Sequence, residues 1–156
     1  MDTAPVQVTV MDAAGNADAL ATLFRSWSID WSMPVSVTAI TVAGMQGRSV
    51  TFTDDAGPLG VLATIAPALE ALGVTYVGDQ DPKFEFPGDY VAFAPELGRF
   101  TGVSAPGPAV MASALDKAVD ALRASGADAQ SILDAVDRLS GRPWRDALAI
   151  RSKAPH

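Results

Sequence analysis

The chain has 156 residues, a formal net charge of −7, 49% hydrophobic residues and no cysteine. This length predicts one domain with a substantial core, and the hydrophobic content argues against a disordered chain. Without cysteine, disulfide frameworks and thiolate sites are excluded, and no apolar run approaches the roughly 18–20 residues of a membrane helix. The first residues lack the basic start and apolar stretch of a secretory signal, so we expect a cytoplasmic protein.

The charge is unevenly distributed along the chain. Residues 1–110 carry twelve acids and four bases, whereas residues 111–156 carry six acids and seven bases. Eight of the twelve acids fall between Asp54 and Glu96, where Lys83 is the only base. An acidic front part would repel nucleic-acid phosphates and anionic membranes, although solubility alone also accounts for it.

The first half of the chain predicts alternating strands and helices. Val6, Val8 and Val10 alternate with polar residues, which is typical of a half-buried strand. Asn16 is expected to cap a helix with one apolar stripe, formed by Leu20, Leu23, Phe24 and Trp27. The β-branched run at 34–43 predicts a second strand, and a hairpin turn between Gly44 and Gly47 leads into a third at 49–53.

A second helix is predicted to start in the run D-D-A-G-P-L-G at residues 54–60 and to end at Gly73. Its inward side chains are Leu62, Ile65, Leu69 and Leu72. Pro67 lies within this stripe and predicts a kink or a split. The next predicted elements are a strand at 74–77, a polar loop at 78–88, and strands at 90–94 and 99–101.

The order β-α-β-β-α-β predicts an α+β fold, namely a ferredoxin-like split βαβ antiparallel sheet with an added hairpin and a helical C-terminal tail. Residues 1–102 form the sheet module, and residues 103–156 form the tail that packs on it within one folding unit. Three helices are expected in the tail. The first opens with a capping box at Ser113, the second carries Ile132, Leu133, Val136 and Leu139, and the third starts near Pro143 and carries Trp144 and Leu148.

Two segments carry a resemblance to a known family. P-E-L-G-R-F-T-G at 95–102 and D-R-L-S-G-R-P-W-R-D-A-L at 137–148 resemble the C-terminal part of an actinobacterial family of uncharacterised small proteins. That family shares a P-x-L-G-x-F turn and a terminal L-x-G-x-x-W-x-x-x-L helix pattern. The resemblance covers about the last 60 residues, and it implies a shared fold and no particular activity.

The usual catalytic constellations are excluded by residue type. The single histidine is the terminal residue His156 and there is no cysteine, so the common zinc sites and the Ser-His and Cys-His pairs are not expected. The runs A-G-M-Q-G and A-G-P-L-G lack the spacing and the lysine of a phosphate loop. No catalytic residue and no cofactor is therefore expected.

The strongest candidate site is the loop G-D-Q-D-P-K-F-E-F-P-G-D at residues 78–89. Its candidate binding residues combine charge with aromatic rings: Asp79, Asp81, Lys83, Phe84, Glu85, Phe86 and Asp89. Such a loop can bind a protein partner, because exposed aromatics with a charged rim form binding hot spots. Asp79 and Asp81 are weaker candidates for a metal or for acid–base work, and a plain solvated connection is the remaining alternative.

Two further features are weaker candidates. Trp31 falls outside any helical stripe, so its ring either packs under the sheet or is exposed to a partner. The basic end of the chain contains Arg142, Arg145, Arg151 and Lys153, but acidic residues interrupt it, which makes nucleic-acid binding unfavourable.

The sequence favours a non-enzymatic protein-interaction or accessory module that recognises a protein partner or a second copy of itself. Three alternatives stay open: an assembly component of an actinobacteriophage virion, a carboxylate-dependent metal enzyme, and an acidic mimic of nucleic acid. The virion component would place the protein in the phage particle rather than in the cytoplasm.

Overall fold

The computed structural model describes residues 2–104, 108–109 and 112–152, which form a mixed α+β structure. The strands are β1 Thr3–Asp12, β2 Val50–Pro58, β3 Thr75–Gln80, β4 Asp89–Ala94 and β5 Gly98–Ser104, and a two-residue β6, Pro108–Ala109, pairs with β5. The helices are α1 Ala17–Ser26, α2 Val37–Met45, α3 Leu62–Ala71, α4 Ala112–Ala124, α5 Ala129–Leu139 and α6 Arg142–Ser152.

The five longer strands form an antiparallel sheet in the order β2-β1-β3-β4-β5. Strand β1 lies between β2 and β3 and is antiparallel to both, with Val8 opposite Phe52 on one side and Gly78 on the other. Strands β2 and β3 therefore run parallel to each other, joined by α3 with β1 between them. This is a split β-α-β unit.

One face of the sheet carries the main hydrophobic core. The three alternating valines of β1 are at most 3% exposed and point toward α1, α2 and α3. The helices contribute side chains that are also fully buried: Leu20, Phe24, Ile65 and Leu69. The predicted period-2 pattern of β1 and the predicted stripes of α1 and α3 are thus confirmed.

The opposite face of the sheet is covered in part by α6. Trp144 is 4% exposed, its ring centroid lies 5.4 Å from that of Phe100, and its Nε1 donates a hydrogen bond of 2.8 Å to the carbonyl of Gly98. Leu148 and Ala92 complete this smaller apolar cluster. The last helix is therefore anchored by a large ring whose polar atom also has a partner.

The strand predicted at 34–43 is wrong, because this segment forms helix α2. Ser36 is its N-cap, and the Ser36 Oγ accepts a hydrogen bond of 3.3 Å from the amide of Ala39. Ile40 and Ala43 are buried three residues apart on one side of the helix. The hairpin between Gly44 and Gly47 is therefore also wrong, and the ferredoxin-like arrangement, which needed that strand, is not confirmed.

The boundaries of the other helices and strands differ less from those predicted. Strand β2 continues through Pro58, so the run 54–60 does not start a helix, and α3 begins at Leu62 and continues without a break past Pro67. Asn16 precedes α1 as expected, but its side chain makes no cap and donates instead to the carbonyl of Leu72 at 2.8 Å. In α5, Leu133 is 58% exposed rather than inward. The capping box at Ser113 lies outside the described side chains.

Among the described helices, none combines the length and the apolar character that crossing a bilayer requires.

We predict that Trp144→Ala lowers the free energy of unfolding by about 3–5 kcal/mol, because it leaves a cavity beside Phe100 and removes the hydrogen bond to Gly98. Leu133→Ala is the matched control, and it should change the free energy of unfolding by less than about 0.5 kcal/mol. Urea unfolding measures both. Equal decreases in the free energy of unfolding of the two variants would contradict the packing of α6 against the sheet.

Candidate functional site

Residues 81–88 connect β3 to β4 and fold back on themselves as a tight hairpin. The amide of Lys83 donates to the carbonyl of Phe86, and the amide of Phe86 donates to the carbonyl of Lys83, both at 2.9 Å. Phe84 and Glu85 therefore form the two-residue tip of a hairpin. We call this structure the 83–86 hairpin.

Phe84 is the outermost aromatic side chain of this hairpin. It is 87% exposed, and its φ of +52° places the backbone in the left-handed region. For a residue with a side chain, this conformation costs about 1–2 kcal/mol, and exposed phenylalanine gains little burial in return. The hairpin thus holds an apolar ring in solvent at the expense of local backbone strain.

The base of the hairpin is attached to the first residues of β1. The Lys83 Nζ donates to the carbonyl of Thr3 at 2.7 Å, and the amide of Asp81 donates to the carbonyl of Pro5 at 2.9 Å. Gly88, with φ of +77°, completes the return, because a Cβ at this position would lie 2.6 Å from the carbonyl oxygen of Gln80. These contacts fix the position of the tip relative to the sheet.

An acidic groove of about 240 Å³ lies next to the hairpin base. Its carboxylates come from the middle of β2, from the end of β3 and from the start of the loop, and they are Asp54, Asp55, Asp79 and Asp81. Within the described residues, the ion pairs are Glu70–Arg99 and Asp137–Arg142, so none of these four carboxylates is neutralised by one. The Oδ1 atom of Asp79 is buried and has no hydrogen-bond partner among the described atoms.

Asp89 lies on the opposite face of the sheet from Asp79. It is paired in register with Gln80 on β3, and it borders a separate groove that Leu62 and Arg99 also line. Partial burial raises the pKa of the Asp89 carboxyl. The structure therefore brings Asp79, Asp81 and the hairpin together and leaves Asp89 outside that group.

The Trp31 ring belongs to an aromatic cluster over the sheet and not to the hairpin. Its centroid lies 5.1 Å from that of Phe24 and 6.1 Å from that of Phe52. The indole Nε1 donates to the carbonyl of Phe24 at 3.1 Å. Trp31 is half-buried, and its ring packs against the core.

The remaining candidates are the possible metal ligands Asp79 and Asp81 and the basic end of the chain. No group of three acidic or histidine side chains within the described residues converges to hold a metal ion, so Asp79 and Asp81 stand without a third ligand. At the basic end, Arg142 pairs with Asp137 at 3.3 Å, and Arg138 lies over the Trp144 ring. His156, Lys153 and the side chain of Arg151 lie outside the described residues. What the hairpin and the acidic groove can provide is a binding surface.

Several residues of this surface were not expected from the sequence. Asp54 and Asp55 belong to the groove, but the sequence placed them at the start of a helix, and the carbonyls of Thr3 and Pro5 anchor the hairpin. The sequence feature that pointed to Asp54 and Asp55 was the concentration of acidic residues between Asp54 and Glu96. Recognising the groove requires the strand order, which places β2 and β3 on either side of β1.

No family model, no curated protein and no solved structure matches this chain. The functional proposal therefore depends on the geometry of the hairpin and the groove.

We predict that Phe84→Gly raises the free energy of unfolding by about 0.5 kcal/mol, because glycine adopts a positive φ without strain, and this gain exceeds the loss of the exposed contact between the ring and the Lys83 Nζ, 5.5 Å from its centroid. Glu85→Gly, at the neighbouring position of the same turn, should lower it by about 0.5–1 kcal/mol, since Glu85 is not in a left-handed conformation. Urea unfolding of both variants tests this. A loss of stability in Phe84→Gly would mean that the ring packs or that the turn is unstrained.

We also predict that Asp89→Asn is more stable than the natural chain at pH 7. The raised pKa means that the ionised carboxyl is less favourable in the folded than in the unfolded state. Ionised Asp89 therefore lowers the free energy of unfolding at pH values above its pKa in the folded state. The advantage of the Asn variant should shrink as the pH falls through that pKa, because the natural side chain then becomes neutral. Unfolding at a series of pH values, with Asp116→Asn on the exposed side of α4 as control, measures this difference. A stability advantage of Asp89→Asn that grows as the pH falls would contradict this prediction.

Proposed function

We propose that this protein is a non-enzymatic interaction module, or accessory subunit, that uses Phe84 at the tip of the 83–86 hairpin to anchor a protein partner. The observation that carries the proposal is an aromatic ring that is 87% exposed and held on a strained backbone. A position that served only as a connection would be filled more favourably by glycine or asparagine.

The hairpin has the features of a preformed anchor. Large aromatic side chains at the centre of an interface contribute much of the binding free energy when a partner removes them from water. The bonds from Lys83 to Thr3 and from Asp81 to Pro5 hold the tip before binding, and this reduces the conformational entropy lost on association.

The surroundings of the hairpin favour a protein over a polyanion. Glu85 at the tip is acidic, and the acidic groove next to the hairpin has four carboxylates, one of which is Asp81 at the hairpin base. Such a field repels nucleic-acid phosphates and anionic lipid surfaces. The partner is therefore another protein or a second copy of this chain. We infer separately that the two associate in the cytoplasm.

The test is site-specific photocrosslinking in the cells that produce the protein. A benzophenone amino acid is placed at position 84 in one variant and at position 133 in another, since Leu133 is the matched exposed apolar residue on α5. We expect one discrete adduct from position 84 that is absent from position 133, and its mass distinguishes a second copy from another protein. No adduct at position 84, or the same adducts at both positions, would refute the proposal.

A further inference from the structure

A separate cleft of about 220 Å³ lies at the opposite end of β1, between the start of β2 and the last turn of α2. Its floor is apolar and consists of the buried side chains of Val10, Ile40 and Val50. The volume is below the roughly 300 Å³ at which pockets for drug-sized ligands begin, so a ligand here would be a small metabolite.

Gly44 borders this cleft from the last turn of α2. Its φ is not positive, and a Cβ built on it meets no heavy atom within 4 Å, so neither the backbone conformation nor a neighbouring atom requires a glycine there. With glycine at this position, no side chain projects from this part of the cleft wall.

The rim of the cleft carries two opposite charges, Asp12 and Arg48. Val10 and Val50 form the last pair between β1 and β2, and Asp12 and Arg48 each lie two residues beyond this pair in their own segments. The two side chains form no ion pair in the described structure. Instead, the Asp12 Oδ1 accepts from the amide of Ala14 at 2.8 Å, and the Arg48 guanidinium donates to the side-chain oxygen of Gln46.

Each of these two charged groups keeps unused hydrogen-bonding capacity. Asp12 has a second carboxylate oxygen, and Arg48 has further N–H donors in a planar array that suits a carboxylate. Among the described residues that line the cleft, Asp12 and Arg48 are the charged ones. An apolar floor with one anion and one cation on the same rim is complementary to a ligand that has an apolar body and a zwitterionic head.

We propose that this cleft binds a small apolar α-amino acid. The apolar side chain of the ligand lies on Val10, Ile40 and Val50, its carboxylate accepts from Arg48, and its ammonium donates to Asp12. The site is distinct from the 83–86 hairpin, and its occupancy does not depend on the protein partner.

The test uses leucine and two analogues that each lack one charge, 4-methylpentanoate and 3-methylbutylamine. Binding is followed by the backbone amide signals of Gly44, Gly47 and Arg48 in a titration of the full chain observed by nuclear magnetic resonance. Leucine should saturate these signals with an affinity at least about tenfold higher than that of either analogue, since each charged hydrogen bond contributes more than a factor of ten. Equal affinities for the three probes, or no saturable change for leucine, would overturn the proposal.

Two variants separate the roles of the charged lining residues. Arg48→Gln should reduce the affinity for leucine to that for the amine, and Asp12→Asn, which keeps an oxygen for Ala14, should reduce it to that for the acid. Arg123→Gln on α4 is the control and should bind like the natural chain. Unchanged leucine binding in both Arg48→Gln and Asp12→Asn would place leucine elsewhere and refute the site.

Discussion

Strand β1 is the element on which the rest of the structure depends. It is hydrogen-bonded to β2 on one side and β3 on the other, and its alternating valines form the floor of the main core. Because β1 is hydrogen-bonded to a neighbour on both sides, the residues at its two ends are held in defined positions. The 83–86 hairpin is attached to Thr3 and Pro5 at one end, and the cleft lined by Asp12 and Arg48 lies at the other.

The aromatic residues fall into two groups by what their rings do. Trp31 and Trp144 pack against other rings and donate their indole N–H to backbone carbonyls, so they stabilise the fold. Phe84 does neither, since its ring is exposed and its backbone is strained. A strained residue persists where surrounding contacts hold it, and here those contacts come from Lys83, Asp81 and Gly88.

Much of the fold could be predicted from local sequence patterns, and each prediction that was wrong has a physical reason. Strand β1 and helices α1 and α3 have clear periodicity, whereas α2 is so uniformly apolar and β-branched that neither period is visible. The polar end of β3 looked like a loop, yet Gln80 is buried because its side chain bonds to the carbonyl of Pro58 and the amide of Gly60. The hairpin residues were recognisable by type, but the acidic groove and the cleft depend on strand order.

In the function proposed for this protein, the 83–86 hairpin is a preformed anchor rather than a mobile connection. Backbone ¹⁵N relaxation of the free protein tests this directly at Phe84 and Glu85, on the picosecond to nanosecond timescale. The contacts at the hairpin base predict order parameters near the roughly 0.85 of rigid backbone, comparable with those of β3 and β4. Order parameters below about 0.6 at these two residues would contradict the account, because a tip that moves so freely is not held in place for a partner.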